Sequence, residues 1–281
     1  MAFLIASPKI GDDATIQAAG SETSDQPATN LQTMQPSEVW RATTLGSAYV
    51  EYELATLRTI DLVALLYHNG SPDAMVRVRA ASTQADLAAN PGYDSGPLMA
   101  RCEKDSRTLI WTDEDDNPAE GEYTYQHFVL DLGGAGKRYS WWRADVIDAQ
   151  NPDGYIEVGR LYLSAAERPG KAPRYGWGMG LSDGQQRTRA FGRQLFTTEK
   201  STGKTLEMAF GSGSETDMWD SHFRLQRLRG TSKDVLVVLD TTKTARMRDW
   251  TVCGLLSDPQ PLVNETIGFY QTSLTVEELI P

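Results

Sequence analysis

The hydrophobic and polar positions of residues 48–70 follow the pattern of two β-strands joined by a short turn. Residues 49–54 alternate large and charged side chains, the period of a strand with one face buried. Residues 60–67 are apolar almost throughout, as in a strand covered on both faces. The turn cluster at 68–72 and the alternation at 74–80 favour strands over a helix. The pattern is typical of a sandwich core.

The rest of the chain is divided by turn residues in a similar way. Short strand patterns separated by Gly, Pro, Asn and Asp continue to residue 165, which is typical of antiparallel sandwiches. Within them, Gly133-Gly134-Ala135-Gly136 is expected to close a hairpin-like turn. Residues 166–175 contain two prolines without periodicity and predict a linker. Residues 176–281 predict an α+β module of five or six strands and one helix.

The predicted helix of this module has recognisable ends. Ser214 with Asp217 resembles a capping box, and Gly230 is a suitable residue to end the helix. Met218, Trp219, His222, Phe223, Leu225 and Leu228 fall near helical spacing, which predicts an apolar stripe packed on a sheet.

The amino-terminal segment, residues 1–35, predicts a leading strand followed by a polar arm or loop. Its apolar run of about five residues has no basic start, so it predicts neither a signal peptide nor a membrane span. The leading strand either belongs to this chain's own fold or pairs with a neighbouring subunit. The polar residues after it are typical of a long surface loop or of an ordered arm.

Composition narrows the classes of function. A formal net charge of −11 argues against nucleic acid as a partner, because phosphate binding needs clustered Lys and Arg. Cys102 and Cys253 are the two cysteines and lie far apart, so neither a zinc site nor a disulfide framework is expected. The 24 glycines, 13 prolines, 7 tryptophans and 11 tyrosines suit a loop-rich β protein.

Most of residues 36–165 resembles a known family. The resemblance lies in the order and spacing of five segments, which are residues 38–43, 50–54, 60–69, 75–80 and 138–163. They resemble galactose-binding-like (discoidin-type) jelly rolls, especially those in tail proteins of tailed bacteriophages. More loosely, residues 224–240 and 275–279 resemble the carboxy-terminal half of the same proteins. The resemblance implies a mainly β fold with an amino-terminal jelly-roll β-sandwich.

The resemblance also implies a function. The first hypothesis is a structural virion protein of the tail tip or baseplate, made in the host cytoplasm. It would assemble with other tail proteins, as a homo-oligomer in a ring or in several copies. The alternative is a carbohydrate-binding module that recognises a bacterial surface glycan for host adsorption. A third reading, a glycan-cleaving enzyme, predicts turnover of host polysaccharide.

Candidate sugar-binding residues follow from motif position in such jelly rolls, where loops at one end of the sheets hold the ligand. They are Trp40, Arg41, Tyr67, His68 and Asn69. An aromatic ring would stack on the apolar face of the sugar, and polar side chains would bind its hydroxyls. The structural alternative is that the two aromatic residues belong to core or rim packing and that Arg41 forms a surface ion pair.

An acidic run contains the candidate metal ligands Asp113, Asp115 and Asp116. Pro118 stands where an EF-hand needs glycine, and Thr124 stands where it needs glutamate, so the run is not an EF-hand. A looser calcium or sodium site and a solvated acidic loop both remain open. No other cofactor is expected.

Trp141, Trp142 and Arg143 lie in one predicted strand, so the two indoles should point to opposite faces. One should be core, and the other, with Arg143, is a candidate interface anchor.

No catalytic constellation is evident in the sequence. The three histidines lie in different elements without metal-ligand spacing, and His127 and His222 are interpreted as packed residues. Asp131 and Arg138 break the phosphate-loop pattern around Gly133. The chain is therefore expected not to be an enzyme.

Overall fold

A computed structural model describes residues 2–100, 125–184, 186–189, 193–198 and 202–281. The strands are β1 Leu4–Ala6, β2 Thr15–Ala19, β3 Trp40–Ala42, β4 Ala48–Glu53, β5 Leu62–His68, β6 Met75–Ala81, β7 Tyr93–Asp94, β8 Leu98–Met99, β9 Gln126–Asp131, β10 Trp141–Ile147, β11 Ile156–Ser164, β12 Gly178–Asp183, β13 Gln186–Arg189, β14 Leu195–Thr198, β15 Thr202–Ser214, β16 Val235–Val238, β17 Thr251–Leu256, β18 Val263–Thr266 and β19 Phe269–Glu278. The helical segments are α1 Lys9–Asp12, a 3-10 turn Ala28–Gln32, α2 Asp86–Ala89, α3 Glu215–Asp217, a π-helical turn Met218–Phe223, α4 Arg224–Arg229, a 3-10 turn Thr244–Arg246 and α5 Met247–Trp250.

The described strands pair antiparallel in three sheets and one ribbon. The front sheet has the order β2-β4-β10-β6-β7, with β8 beside β6, and the middle sheet has the order β3-β11-β5-β9. The carboxy-terminal sheet has the order β1-β16-β17-β19-β15-β12, with β18 beside β19, and β13 pairs with β14 in a two-stranded ribbon. The predicted fold class, a mainly β jelly-roll sandwich plus a β-rich α+β module, is confirmed.

The front and middle sheets enclose the sandwich core. Trp40 and Leu65 of the middle sheet pack in one buried cluster with Val50, Tyr52 and Trp142 of the front sheet. This arrangement corrects the expected short turn between β4 and β5, because β4 belongs to the front sheet and β5 to the middle sheet. The connection therefore crosses between the two layers.

The turn at Gly133–Gly136 is also a crossing between layers and not a hairpin. It leads from β9 in the middle sheet to β10 in the front sheet. Gly133 and Gly136 have φ angles of +78° and +58°, the left-handed region that favours glycine.

The second face of the middle sheet is covered by the carboxy-terminal sheet. Leu62, Ala64 and Leu66 of β5 pack there against Leu236 and Cys253. Because the alternate residues of β5 point into the sandwich core, the whole strand is buried. The prediction that this strand is covered on both faces is confirmed.

The amino-terminal segment lies against its own chain. β1 pairs with β16 over Leu4–Ala6, and β2 pairs with β4. The reading in which the leading strand pairs with a neighbouring subunit is therefore corrected. The strand lies in the carboxy-terminal sheet because Leu4, Ile5 and Ala6 are all apolar and can be buried on both of its faces. The proposed domain limits at 35, 165 and 175 remain predictions.

A buried ionic cluster joins the amino-terminal segment, the sandwich and the carboxy-terminal sheet. The Arg160 guanidinium donates to Asp234 at 3.1 Å, to Asp12 at 2.9 Å and to the carbonyl of Leu31 at 3.0 Å. The Tyr162 hydroxyl donates to Asp234 at 2.7 Å. The side chains of Arg160 and Asp234 are only 3% and 5% exposed. The three parts are therefore joined through one buried guanidinium.

The predicted helix lies at 215–229 with the expected ends. The hydroxyl of Ser214 accepts a hydrogen bond from the backbone N–H of Asp217, and Gly230 follows the last turn with φ +55°. Met218 and His222 are buried, whereas Trp219, Phe223 and Leu228 of the predicted stripe are exposed. With β12, which pairs with β15, the described part of residues 176–281 contains eight strands, more than the five or six that the sequence pattern predicts.

Candidate functional site

The candidate site lies at one end of the middle sheet, where all four of its strands meet. Arg41 of β3 lies opposite Glu157 of β11, and Val158 lies opposite His68 at the end of β5. His68 in turn lies opposite Gln126, the first residue of β9. The register therefore gathers residues from four distant parts of the chain at one edge.

Arg41 is the central side chain of this edge. Its guanidinium lies over the ring of Tyr155, 4.0 Å from the ring centroid. Its Nε donates to Glu157 Oε1 at 2.8 Å, and this hydrogen bond raises the pKa of the guanidinium. The Arg41 side chain remains 32% exposed, whereas that of Glu157 is 9% exposed. The pair fixes Arg41 above Tyr155 and leaves it accessible from the solvent.

Asn69 holds the turn that carries Tyr155. Its amide nitrogen donates to Asp153 Oδ2 at 2.9 Å and to the Tyr155 carbonyl at 3.1 Å. Its amide oxygen accepts from the Glu157 backbone N–H at 2.8 Å. Asp153 is exposed, and Asn69 and Tyr155 are half-buried. One amide thus holds both the Asp153 carboxylate and the backbone of Tyr155.

Tyr125 completes the aromatic part of the site. It is half-buried and immediately precedes β9. Burial raises the pKa of its hydroxyl, and the nearby Glu157 and Tyr155 act in the same direction. Tyr125 lies at this edge because Gln126, the next residue, pairs with His68.

Three of the five residues predicted to bind sugar are deeply buried. Trp40 is 1% exposed and packs in the sandwich core, whereas Tyr67 and His68 are each 2% exposed. The carbohydrate role of the set stays a prediction. In this structure a ligand can reach Arg41 and Asn69, and the other three side chains contact protein.

Tyr67 and His68, the two residues of β5 that the sequence predicts to bind sugar, have identifiable structural partners. Tyr67 has φ +57° at a register shift between β5 and β9, and its hydroxyl lies 2.7 Å from the Leu279 carbonyl. His68 Nε2 lies 3.2 Å from the Ala100 carbonyl, and its Nδ1 accepts from the backbone N–H of Gly70 at 3.1 Å.

Sequence reasoning missed four residues at this edge, which are Tyr125, Asp153, Tyr155 and Glu157. The signal for Asp153 and Tyr155 is the turn Asn151-Pro152-Asp153-Gly154, which ends directly before an aromatic residue and a strand. No local pattern places Glu157 opposite Arg41, because that depends on the pairing of strands more than 100 residues apart.

The other predicted sites are not brought to this edge. Asp113, Asp115 and Asp116 lie outside the described residues, and the described part of the chain contains no cluster of metal-ligating side chains. Trp142 is 1% exposed, and Trp141 on the opposite face is half-exposed, as the strand period predicts.

Arg143 is held on the outer face of the front sheet. It pairs with Glu51 and Asp145 at 2.8 Å each and lies 3.6 Å from the centroid of the Tyr49 ring. An interface role for Trp141, Trp142 and Arg143 stays a prediction.

A concavity of about 630 Å³ lies elsewhere, between the amino-terminal segment and helix 215–229. Its lining includes Arg160, Arg229, Asp12 and Asp234, which pair with one another. None of its described lining residues is aromatic. The edge around Arg41 is therefore the stronger candidate for a sugar.

Comparisons with known proteins find only distant similarity, and only among solved structures. No family model and no curated protein matches the chain. Among solved structures, a family 32 carbohydrate-binding module from Clostridium perfringens NanJ, in complex with galactose, matches at 13% identity and TM-score 0.38, covering 58% of this chain and 99% of that one. The lectin domain of lectinolysin, in complex with Lewis b antigen, matches at 10% identity and TM-score 0.35, covering 56% and 95%.

A third similar structure is reduced XRCC1 bound to the catalytic domain of DNA polymerase β, at 15% identity and TM-score 0.34, covering 55% of this chain and 95% of that one. The neighbours thus include family 32 carbohydrate-binding modules, although likeness at this level says nothing about a shared ligand. None of the three is a phage tail protein. In the described residues, no helix has the length and apolar character needed to cross a membrane.

Proposed function

We propose that the protein binds a neutral saccharide at the end of the middle sheet. The observation that carries this proposal is the grouping of Arg41, Asn69, Asp153 and Tyr155 on one accessible edge. Saccharides need apolar surface for their C–H faces and fixed donors and acceptors for their hydroxyls. Tyr125 and Tyr155 supply the apolar surface. The guanidinium and amide groups supply the hydrogen-bond donors, and the carboxylates supply the acceptors.

The charge of the edge favours a neutral sugar over an acidic one. Arg41 is already paired with Glu157, and Asp153 adds an exposed carboxylate that accepts a hydrogen bond from the neutral Asn69 amide. The whole chain is also negative, with a net charge of −11. An acidic sugar would therefore meet like charge, whereas hydroxyl groups can donate to the carboxylates.

The experiment is a bacterial glycan array, followed by calorimetric titration of neutral hexoses and N-acetylhexosamines. Tyr155→Ala is expected to weaken binding at least 10-fold, about 1.4 kcal/mol, because it removes apolar contact area. Asp153→Asn should weaken binding less, because the amide still accepts hydrogen bonds. Tyr175→Ala is the matched control, since Tyr175 is fully exposed elsewhere. A blank array, or equal affinity in the Tyr155 variant, would contradict the proposal.

The proposal also covers the source of the saccharide and the purpose of binding it. The ligand is taken to be a bacterial surface glycan, bound for adsorption to a host. The rival reading, a structural component of a phage tail made for assembly, rests on the sequence resemblance alone. The comparisons give no support to a tail, baseplate or virion role.

A further inference from the structure

The ribbon formed by β13 and β14 has an unusual exposure. The two strands pair over four residues, from Gln186 opposite Thr198 to Arg189 opposite Leu195. Every side chain that the structure describes at 188–189 and 193–198 is exposed. Among the residues that the structure describes, the ribbon therefore has no packing partner of the kind that the other sheets have.

Both faces of the ribbon carry an apolar residue. Leu195 is 55% exposed and Phe196 is 58% exposed. Because successive residues of a strand point to opposite faces, the two side chains lie on opposite sides of the ribbon. An isolated two-stranded hairpin is marginally stable in water, so covering these residues would stabilise it. The ribbon is thus suited to insertion against another surface.

The charge of the ribbon indicates what kind of surface it can bind. Residues 186–198 contain three arginines and no acidic residue, whereas the whole chain carries a net charge of −11. Arg189 and Arg193 are exposed. A second copy of this acidic chain therefore offers the complementary charge. Two ribbons paired with each other would bring like charges together, which disfavours ribbon-to-ribbon contact.

A polyanion is a poorer partner. Three arginines neutralise few phosphates, and the acidic remainder of the chain would repel a nucleic acid or an anionic membrane.

We propose that the β13–β14 ribbon of one copy docks on the acidic body of a second copy, so that the protein self-associates through this ribbon. The assembly is closed, with every ribbon docked, if two copies each dock a ribbon on the other or if several copies form a ring. This inference does not rest on sugar binding. Self-association would, however, present several sugar sites together and raise avidity for a repeated glycan.

The test measures the mass of the full chain by light scattering and native mass spectrometry, over a concentration series at low and high salt. The apolar variant is Leu195→Ser with Phe196→Ser, and the charge variant is Arg189→Glu with Arg193→Glu. Ile267→Ser and Arg227→Glu are matched controls, because both residues are exposed away from the ribbon.

We expect a dimer or larger oligomer whose dissociation constant rises at least 10-fold in each ribbon variant and less than 2-fold in each control. High salt should weaken the wild type and should affect the charge variant less. A monomer at every concentration overturns the proposal, as does an oligomer that the ribbon variants leave intact. A chain that stays monomeric while its ribbon binds DNA or anionic vesicles overturns it as well.

Discussion

Replacement of Arg160 by methionine tests the structural link between the three parts of the chain. The variant keeps an unbranched apolar stem but removes the guanidinium that contacts Asp234, Asp12 and the Leu31 carbonyl. Asp234, with its side chain 5% exposed, then loses its closest cation. Leaving a buried charge without its partner costs about 3–5 kcal/mol.

The lower end of that range applies here, because Asp234 keeps other partners. The Tyr162 hydroxyl still donates at 2.7 Å, and Arg229 lies 3.5 Å away. We therefore expect Arg160→Met to lower the free energy of unfolding by about 3 kcal/mol, or roughly 6–12 °C in Tm. Asp12→Asn should change it by less than about 1 kcal/mol, because the Asp12 side chain is 30% exposed and burial already raises the pKa of this carboxyl.

Urea unfolding followed by tryptophan fluorescence measures both variants at pH 7. Adding Asp234→Asn to the Arg160→Met background should recover at least about 1 kcal/mol, because the unpaired charge is then gone. An Arg160→Met variant within about 0.5 kcal/mol of the wild type would refute the role assigned to the cluster. A double variant that is weaker than Arg160→Met would refute the charge argument.

Three further predictions concern stability. Burial lowers the pKa of His127 well below its usual value and that of His222 to about 4. Below pH 6.5 the unfolded chain therefore binds more protons than the folded chain. Urea unfolding from pH 7 to 4.5 should show the free energy of unfolding falling by up to about 1.4 kcal/mol per pH unit for each histidine. A free energy of unfolding that does not change with pH contradicts this prediction. A Cβ at Gly159 would lie 2.8 Å from the Pro36 carbonyl, so Gly159→Ala should cost about 1–3 kcal/mol, and an unchanged Tm would exclude that crowding. Tyr67→Phe removes a hydroxyl that lies 2.7 Å from the half-buried Leu279 carbonyl and 3.1 Å from the buried Cys253 carbonyl. It should cost about 1–2 kcal/mol by denaturant titration, whereas a variant as stable as the wild type or more stable would show that these hydrogen bonds are not needed.

The sequence predicts the individual strands and helices of this fold better than it predicts which of them lie next to each other. The apolar run of β5 indicates burial on both faces because each residue signals its own environment. The helix ends at Ser214 and Gly230 are likewise local signals. The layer to which β4 and β5 belong is not local, because it depends on which distant strands complete each sheet. This is why the sequence pattern predicts a short turn where the chain crosses between sheets.

The candidate site shows the same division. Arg41 and Asn69 are found by motif position, whereas Glu157 and Tyr155 join them through pairing of β3, β5 and β11. The sequence allows two interpretations of Trp40, a buried packing residue or an accessible sugar-binding residue. Trp40 is buried because side chains of both sheets pack around it, which the sequence alone does not show. The sequence can therefore identify residues at the ends of strands one at a time, but the strand register determines which of them lie together.

The most direct test of sugar binding is a chemical-shift titration of the ¹⁵N-labelled full chain with the neutral saccharide that gives the strongest array signal. We expect shifts concentrated at the backbone amides of Asn69, Asp153, Tyr155 and Glu157, and we expect Tyr155→Ala to abolish them. Shifts confined to the charged concavity near Arg224 and Lys233, or no shifts at millimolar sugar, would contradict the assignment of the site.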